Sequence, residues 1–223
     1  MTRNLATHVE RRVPIMCLAV YVVALVVSGI SPHNRNLWLF ENVCPVIIIA
    51  LAVITYRRFR FSDRAYLQGL VFLLLHTVAT YYTYPRVPLG VWVSDWLDLS
   101  RNPYDRIIHF SYGLLILRPI REVAFRREPR KNLATELFLS VAAMWFFATG
   151  YELLEWWGAL VAHPRDSKAF LGIQGDPWDV QQDLFVAVVG AALACGVDVL
   201  LERAGKTVVK GRTRWRLAHR TAH

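Results

Sequence analysis

PIMCLAVYVVALVVSGI, residues 14–30, contains no charged side chain, and LWLFENVCPVIIIALAVITY, residues 37–56, contains one, Glu41. Each is close to the roughly 20 apolar residues that a helix needs to cross the hydrocarbon core of a bilayer. Four more such segments follow, at residues 66–84, 106–125, 134–159 and 180–201. Of the 223 residues, 55% are hydrophobic and 19% charged, against about 25% charged in an average soluble domain. The loops between the segments are too short to give a water-soluble bundle its polar surface. The pattern predicts an all-α integral membrane bundle, a single polytopic domain with about six transmembrane helices, followed by a basic tail at residues 202–223.

The net charge of +9 raises the question of a nucleic-acid partner. The distribution of the charge points elsewhere. With the N-terminus inside, the inner loops and ends collect Arg3, Arg11 and Arg12, then Arg57 to Arg64, then Arg118 to Lys131, then the tail from Arg203 to Arg220. The outer loops hold only Arg35, Arg86, Arg101, Arg106, Arg165 and Lys168. Every inner segment follows the positive-inside rule. Both termini are therefore expected in the cytoplasm, and the basic tail against anionic lipid, with no nucleic acid bound. Trp38, Trp92, Trp96, Trp156, Trp157 and Trp178 all fall near outer helix ends, as an aromatic belt would. The apolar run after Arg11-Arg12 lacks a small-residue cleavage site and reads as an uncleaved first span. Cys17, Cys44 and Cys195 lie within spans and form no CxxC pair, so they read as packing residues.

Polar groups inside spans need a physical reason, and here they gather toward the outer ends. The fourth span opens Asn102-Pro103-Tyr104-Asp105-Arg106-Ile107-Ile108-His109-Phe110. Asp105 and His109, four apart, share a helix face. A carboxylate there can orient a catalytic imidazole or support a metal ligand. It can equally cap the helix while His109 bonds a neighbour. The fifth span ends Gly150-Tyr151-Glu152-Leu153-Leu154-Glu155-Trp156-Trp157. Glu152 and Glu155 also share a face. Glu155 can reach outward beside the tryptophans, whereas Glu152 lies a turn deeper. The bland alternative leaves one glutamate exposed and the other paired with Arg106. The sixth span opens Asp176-Pro177-Trp178-Asp179-Val180-Gln181-Gln182-Asp183. Asp176 before a proline reads as a helix cap, and Asp179 suits the helix dipole. Asp183, a turn deeper, has no such explanation. His76 in the third span reads as a hydrogen-bonded packing residue, and Glu41 and Asn42 in the second as interfacial. Ala187, Gly190, Ala191 and Ala194 form a small-residue stripe that lets helices approach closely.

Unpaired and dry, Asp105, Glu152, Glu155, Asp179 and Asp183 would together cost about 10 kcal/mol. Such a set requires a wet outer cavity, cations or protons. It suits acid–base chemistry, a divalent metal, or cation and proton binding. His109 and Glu152 are the candidate catalytic groups. Asp105, Arg106, Glu155, Asp179 and Asp183 are the candidate substrate-binding groups. His109, Glu152, Glu155 and Asp183 are the candidate ligands of a divalent metal.

Three motifs together resemble the YjdF-like family of bacterial inner-membrane proteins. They are Tyr104-Asp105-Arg106-Ile107-Ile108-His109-Phe110, Gly150 to Trp157, and Phe170-Leu171-Gly172-Ile173-Gln174-Gly175 running on to Asp183. The resemblance covers most of the chain and implies a small multi-pass protein of the bacterial cytoplasmic membrane, with no activity attached. The chain is also similar, less closely, to VanZ-like membrane proteins. These share an Asp-basic-x-x-His start to one span, a glutamate in the next and a D-x-x-x-D opening to the last. Ala187 departs from that pattern where asparagine is expected, and Glu155 with its tryptophans departs where glutamine is common. Three functional readings stay open. One is an envelope enzyme acting on a lipid-linked or amphiphilic substrate, with Arg106 toward an anionic head group. Another is a proton- or cation-coupled transporter. The third is a non-catalytic membrane partner.

Overall fold

The computed structural model describes residues 12–125, 132–161 and 176–220. The basic residues before Arg12, the basic stretch 126–131, the Gly-, Pro- and Asp-containing segment 162–175 and the side chains beyond Leu201 lie outside the described residues. Within them the chain forms seven α-helices and no strand: α1 (Arg12–Ile30), α2 (Arg35–Thr55), α3 (Asp63–Tyr82), α4 (Pro88–Leu97), α5 (Tyr104–Phe125), α6 (Leu133–Val161) and α7 (Asp179–Arg220). A 3-10 turn, Tyr84–Arg86, links α3 to α4.

Each apolar segment of the sequence is a helix, and polar residues cap the start of several of them. Asn34 Oδ1 accepts from Asn36 N at 3.0 Å and Leu37 N at 3.2 Å to open α2. Ser62 Oγ accepts from Ala65 N at 3.2 Å to open α3. Asn102 Oδ1 accepts from Tyr104 N at 3.0 Å to open α5. These bonds satisfy backbone donors that the first helical turn leaves without partners.

α1, α2, α6 and α7 as far as Leu201 are long and apolar enough to cross a membrane. α3 and α5 are as long but carry more polar side chains, and they occupy the centre. α1 and α2 pack on α3, α3 packs on α5, and α6 and α7 pack on α5. The order follows from the solvent. Lipid offers no hydrogen bonds, so the apolar helices take the perimeter, where Ile54, Phe146 and Phe185 lie bare of protein contact. α7 has 42 residues, or about 63 Å of helix, roughly twice a bilayer core. The boundary expected near residue 201 is therefore not a helix end; the basic tail continues the same helix.

α5 and α7 approach most closely. A β-carbon on Gly113 would collide with the Ala187 carbonyl oxygen, and one on Gly190 with the Phe110 carbonyl oxygen. Ala187 and Ala191 are fully buried in that contact. Together with Leu117 and Met144 they form an apolar layer across α5, α6 and α7. Polar clusters lie on both sides of this layer. Along α5 the order is His109, Leu117, Arg121; along α6 it is Glu152, Met144, Glu136; along α7 it is Asp183, Ala187 to Ala191, Asp198. At 1.5 Å per residue the two clusters stand roughly 20 Å apart.

The stretch between α3 and α5 forms the short helix α4 (Pro88–Leu97). Its Trp92 and Trp96 stack with ring centroids 6.4 Å apart, and both are largely exposed. Asn102 fastens α4 to α5, its Nδ2 donating to Pro85 O and Val87 O, each at 3.1 Å.

Candidate functional site

The site is built at the α4 end of the bundle, the end that the arginine count assigns to the outer face. α5 contributes Asp105 and His109 one turn apart. α6, running the other way, brings Glu152 and Glu155 to the same level. α7 contributes Asp179 and Asp183. Glu152 Oε1 comes within 3.1 Å of His109 Nε2, and Asp105 Oδ1 within 3.7 Å of the same nitrogen. The Glu152 contact is close without hydrogen-bond alignment, and Glu152 Oε1 has no hydrogen-bond donor among the described residues. Asp105, His109 and Asp183 each present a ligand atom, all within 4.8 Å of one another. Asp183 is 2% exposed, and its Oδ1 also lacks a donor among the described residues.

Two arginines lie beside the cluster at the start of α7. Arg101 Nη1 pairs with Asp179 and lies 3.8 Å from Asp176 Oδ2. Arg106 Nη2 donates to Asp176 Oδ2 at 2.7 Å and stands 4.0 Å from Asp179 Oδ1. Asp176 is therefore more than the cap that its sequence context suggests. α7 begins at Asp179, not directly after Asp176. Asp176 Oδ1 accepts from Trp178 N at 2.9 Å in a turn ahead of the helix, while Oδ2 accepts from Arg106 and, at 3.0 Å, from Gln182 Nε2. Its carboxyl is held below the ordinary carboxylate range, first by the Trp178 backbone bond and then by the two arginines. With Asp176 taking Arg106, neither Glu152 nor Glu155 is neutralised as the bland alternative supposed.

Glu155 does not reach outward beside the tryptophans. It is half-buried and lies within electrostatic reach of Glu152, Asp105, Glu41 and Asp183. Glu41 corrects the sequence reading most. It was expected at the interface, yet it is 4% exposed, faces the cluster within electrostatic reach of Asp105, and has Oε2 without a donor among the described residues. Its neighbour Asn42 turns the same way, donating to Trp38 O at 2.7 Å and Thr80 Oγ1 at 3.2 Å. The signal was an ionisable residue within an otherwise apolar span. Arg101 gave no comparable signal, because a loop arginine reads first as a topology charge.

His76 is a packing residue. Nδ1 pairs with Tyr84 Oη at 3.1 Å and Nε2 with Glu41 O at 3.2 Å, so both nitrogens are occupied. Thr83 sets this up by adopting a left-handed φ of 65°, costly for a β-branched residue, which ends α3 and turns Tyr84 inward. The three cysteines are free and make no disulfide.

The opposite end carries a second ionic cluster. Arg121 Nε donates to Glu136 Oε1 at 2.6 Å and Nη1 to Asp198 Oδ2 at 2.5 Å, with Arg118 Nη2 3.8 Å from Asp198 Oδ1. All three members of the Arg121 set are buried.

The sequence pattern of the family described as "Predicted membrane protein (DUF2238)" matches residues 13–203. The chain is 38% identical over 167 residues to the "Inner membrane protein YjdF" of Escherichia coli (strain K12), which covers 75% of this chain and 79% of that relative. No solved structure matches the chain. These matches bear out the YjdF-like resemblance and lend nothing to the VanZ-like one. The chain thus belongs to this family of predicted membrane proteins, and it is a multi-pass protein of the bacterial inner membrane.

Proposed function

We propose that the chain spans the membrane six times with both termini in the cytoplasm, and that its α4-end cluster is the outward-facing site of an envelope enzyme acting on a lipid-linked or amphiphilic substrate. The observation that carries this reading is the 3.1 Å approach of Glu152 to His109, beside Asp105, Glu155 and Asp183, which make no salt bridge to arginine or lysine among the described residues. A close carboxylate–imidazole pair is an acid–base device. His109 or Glu152 exchanges the proton. Asp105, Glu155 and Asp183 hold a cationic group or ion. Asp179, already the partner of Arg101, keeps the mouth in shape, and Arg106 meets an anionic head group there. α4, with its exposed tryptophans, lies along the lipid surface beside the mouth.

A transporter needs a polar path to the other face. Leu117, Met144, Ala187 and Ala191 interrupt any such path, and the paired Arg121 cluster lies beyond them. That arrangement supports a dead-end site over a conduit.

Lipid and metabolite profiles of envelopes with and without the protein test the activity. A species that accumulates only in its absence is the expected result, and identical profiles would count against an enzyme. Reporter fusions test the topology. Fusions after His33, Arg101 and Asp166 should report outside, and those after Arg60, Arg127 and Arg212 inside. An external C-terminus would move the cluster to the other face and end the outward-facing reading.

A further inference from the structure

We propose that Asp105, His109 and Asp183 bind one divalent transition-metal ion, zinc or manganese in class, with Glu152 placed to take a proton from a water on that ion. The inference rests on the site proposed above and names its cofactor.

The geometry comes first. Ligand atoms about 2.0–2.2 Å from a tetrahedral ion stand roughly 3.4 Å apart. Those of Asp105, His109 and Asp183 lie within 4.8 Å of one another, so a small inward shift completes the set. The ligands sit on rigid helices, with α5 and α7 locked together by Gly113 and Gly190. The unmet demand comes second. Asp183 is almost fully buried, yet its Oδ1 accepts from no donor among the described residues. A buried carboxylate oxygen in that state calls for a cation or a proton.

The neighbouring acids are either spoken for or add to that demand. Asp179 has Arg101, and Asp176 has Arg106 and Gln182. Glu41 and Glu155 have no such partner among the described residues, and both lie within electrostatic reach of Asp105. Arg101 lies within electrostatic reach of Asp105 and Asp183, and Arg106 of Asp105, but the acids around the three ligands outnumber these two arginines, and a doubly positive ion would offset the excess. The other buried histidine is excluded as a ligand, since both His76 nitrogens are bonded.

The donor set selects the class of metal. Two carboxylates and one imidazole suit zinc or manganese, whereas calcium and magnesium prefer all-oxygen shells. Glu152 Oε1, 3.1 Å from His109 Nε2, is adjacent to the ion without being needed as a ligand. An ion acidifies the water it binds. Glu152 would be the carboxylate placed to accept that proton.

The test uses the full chain, purified in detergent through a tag without histidines, stripped with chelator, then incubated with Zn²⁺ or Mn²⁺ and desalted. Metal counted by mass spectrometry should approach one equivalent per chain and should withstand excess Mg²⁺ or Ca²⁺. The His109→Gln/Asp183→Asn double variant should bind at least tenfold more weakly. Changing the exposed His33 to Gln should alter nothing. Pulsed paramagnetic resonance of the Mn²⁺-loaded wild type is independent of any variant's folding, and it should show coupling to a single imidazole nitrogen. Background metal in the wild type, full binding in the double variant, or no nitrogen coupling would each overturn the assignment. If metal fails to bind while Glu152→Gln erases the envelope difference, the metal falls and the acid–base site stands. If metal binds while Glu152→Gln leaves the envelope unchanged, the ion site stands and the enzyme reading falls.

Discussion

The two ends of the α5–α6–α7 bundle solve the same problem in opposite ways. Both bury charged side chains of α5, α6 and α7 on either side of one apolar layer, and Glu41 of α2 joins the α4-end group. At the Arg121 end, one guanidinium makes an ion pair with both Glu136 and Asp198. At the α4 end, Asp105, Glu152, Glu155, Asp183 and Glu41 share a space in which the arginines have gone to Asp176 and Asp179. The fold can match charges where it needs only to hold helices together. Leaving the second group unmatched costs stability unless something outside the chain completes it. That contrast separates an ionic lock from a site.

The contrast can be broken most forcefully at the lock. Arg121→Met takes the guanidinium from Glu136 and leaves Asp198 only the more distant Arg118, and losing one partner of a buried ion pair typically costs about 3–5 kcal/mol. We expect a large fall in thermal stability in detergent and in membrane abundance. A variant as stable as wild type would show that the lock is not what joins the helices.

The next largest effect lies in the layer between the clusters. Gly113→Val drives a side chain into the Ala187 carbonyl, and overpacking of this kind costs about 1–3 kcal/mol. It should weaken both ends together, lowering the unfolding temperature and, if the metal is bound, metal content in parallel. Loss at one end alone would show that the clusters are not joined through this contact.

The smallest effect belongs to Asp176. Its carboxyl is held below the ordinary range in the folded protein, so its contribution is present above the unfolded value and is lost as pH falls through the lower folded value. Asp176→Asn should therefore lower the unfolding temperature slightly at neutral pH and bring the variant level with wild type below about pH 4, which flattens the acid limb. An unchanged acid limb would remove Asp176 from the account of the mouth.

The helices were legible because apolar runs of spanning length leave few alternatives. Asp105, His109, Glu152 and Asp183 were legible because each is polar within such a run and spaced to share a face. Three features were not. Glu41 lies near Trp38, which suggested the interface; only the packing of α2 on α3, through Asn42 and Thr80, turns it inward. Arg101 lies in a loop, where sequence shows charge but no partner 78 residues away. Asp176 fits a capping pattern so well that nothing local reveals its bond to Arg106. What escaped is long-range in each case, and local periodicity carries no record of it.

The central claim is that the α4-end carboxylates form a working site and not a second lock. The most direct measurement scores Asp183→Asn and Glu152→Gln for membrane abundance and for rescue of the envelope difference seen without the protein. Neutral isosteres keep the shape and remove only charge, so the account predicts near-normal abundance with rescue abolished. Full rescue by both variants, or failure in step with lost protein, would contradict it.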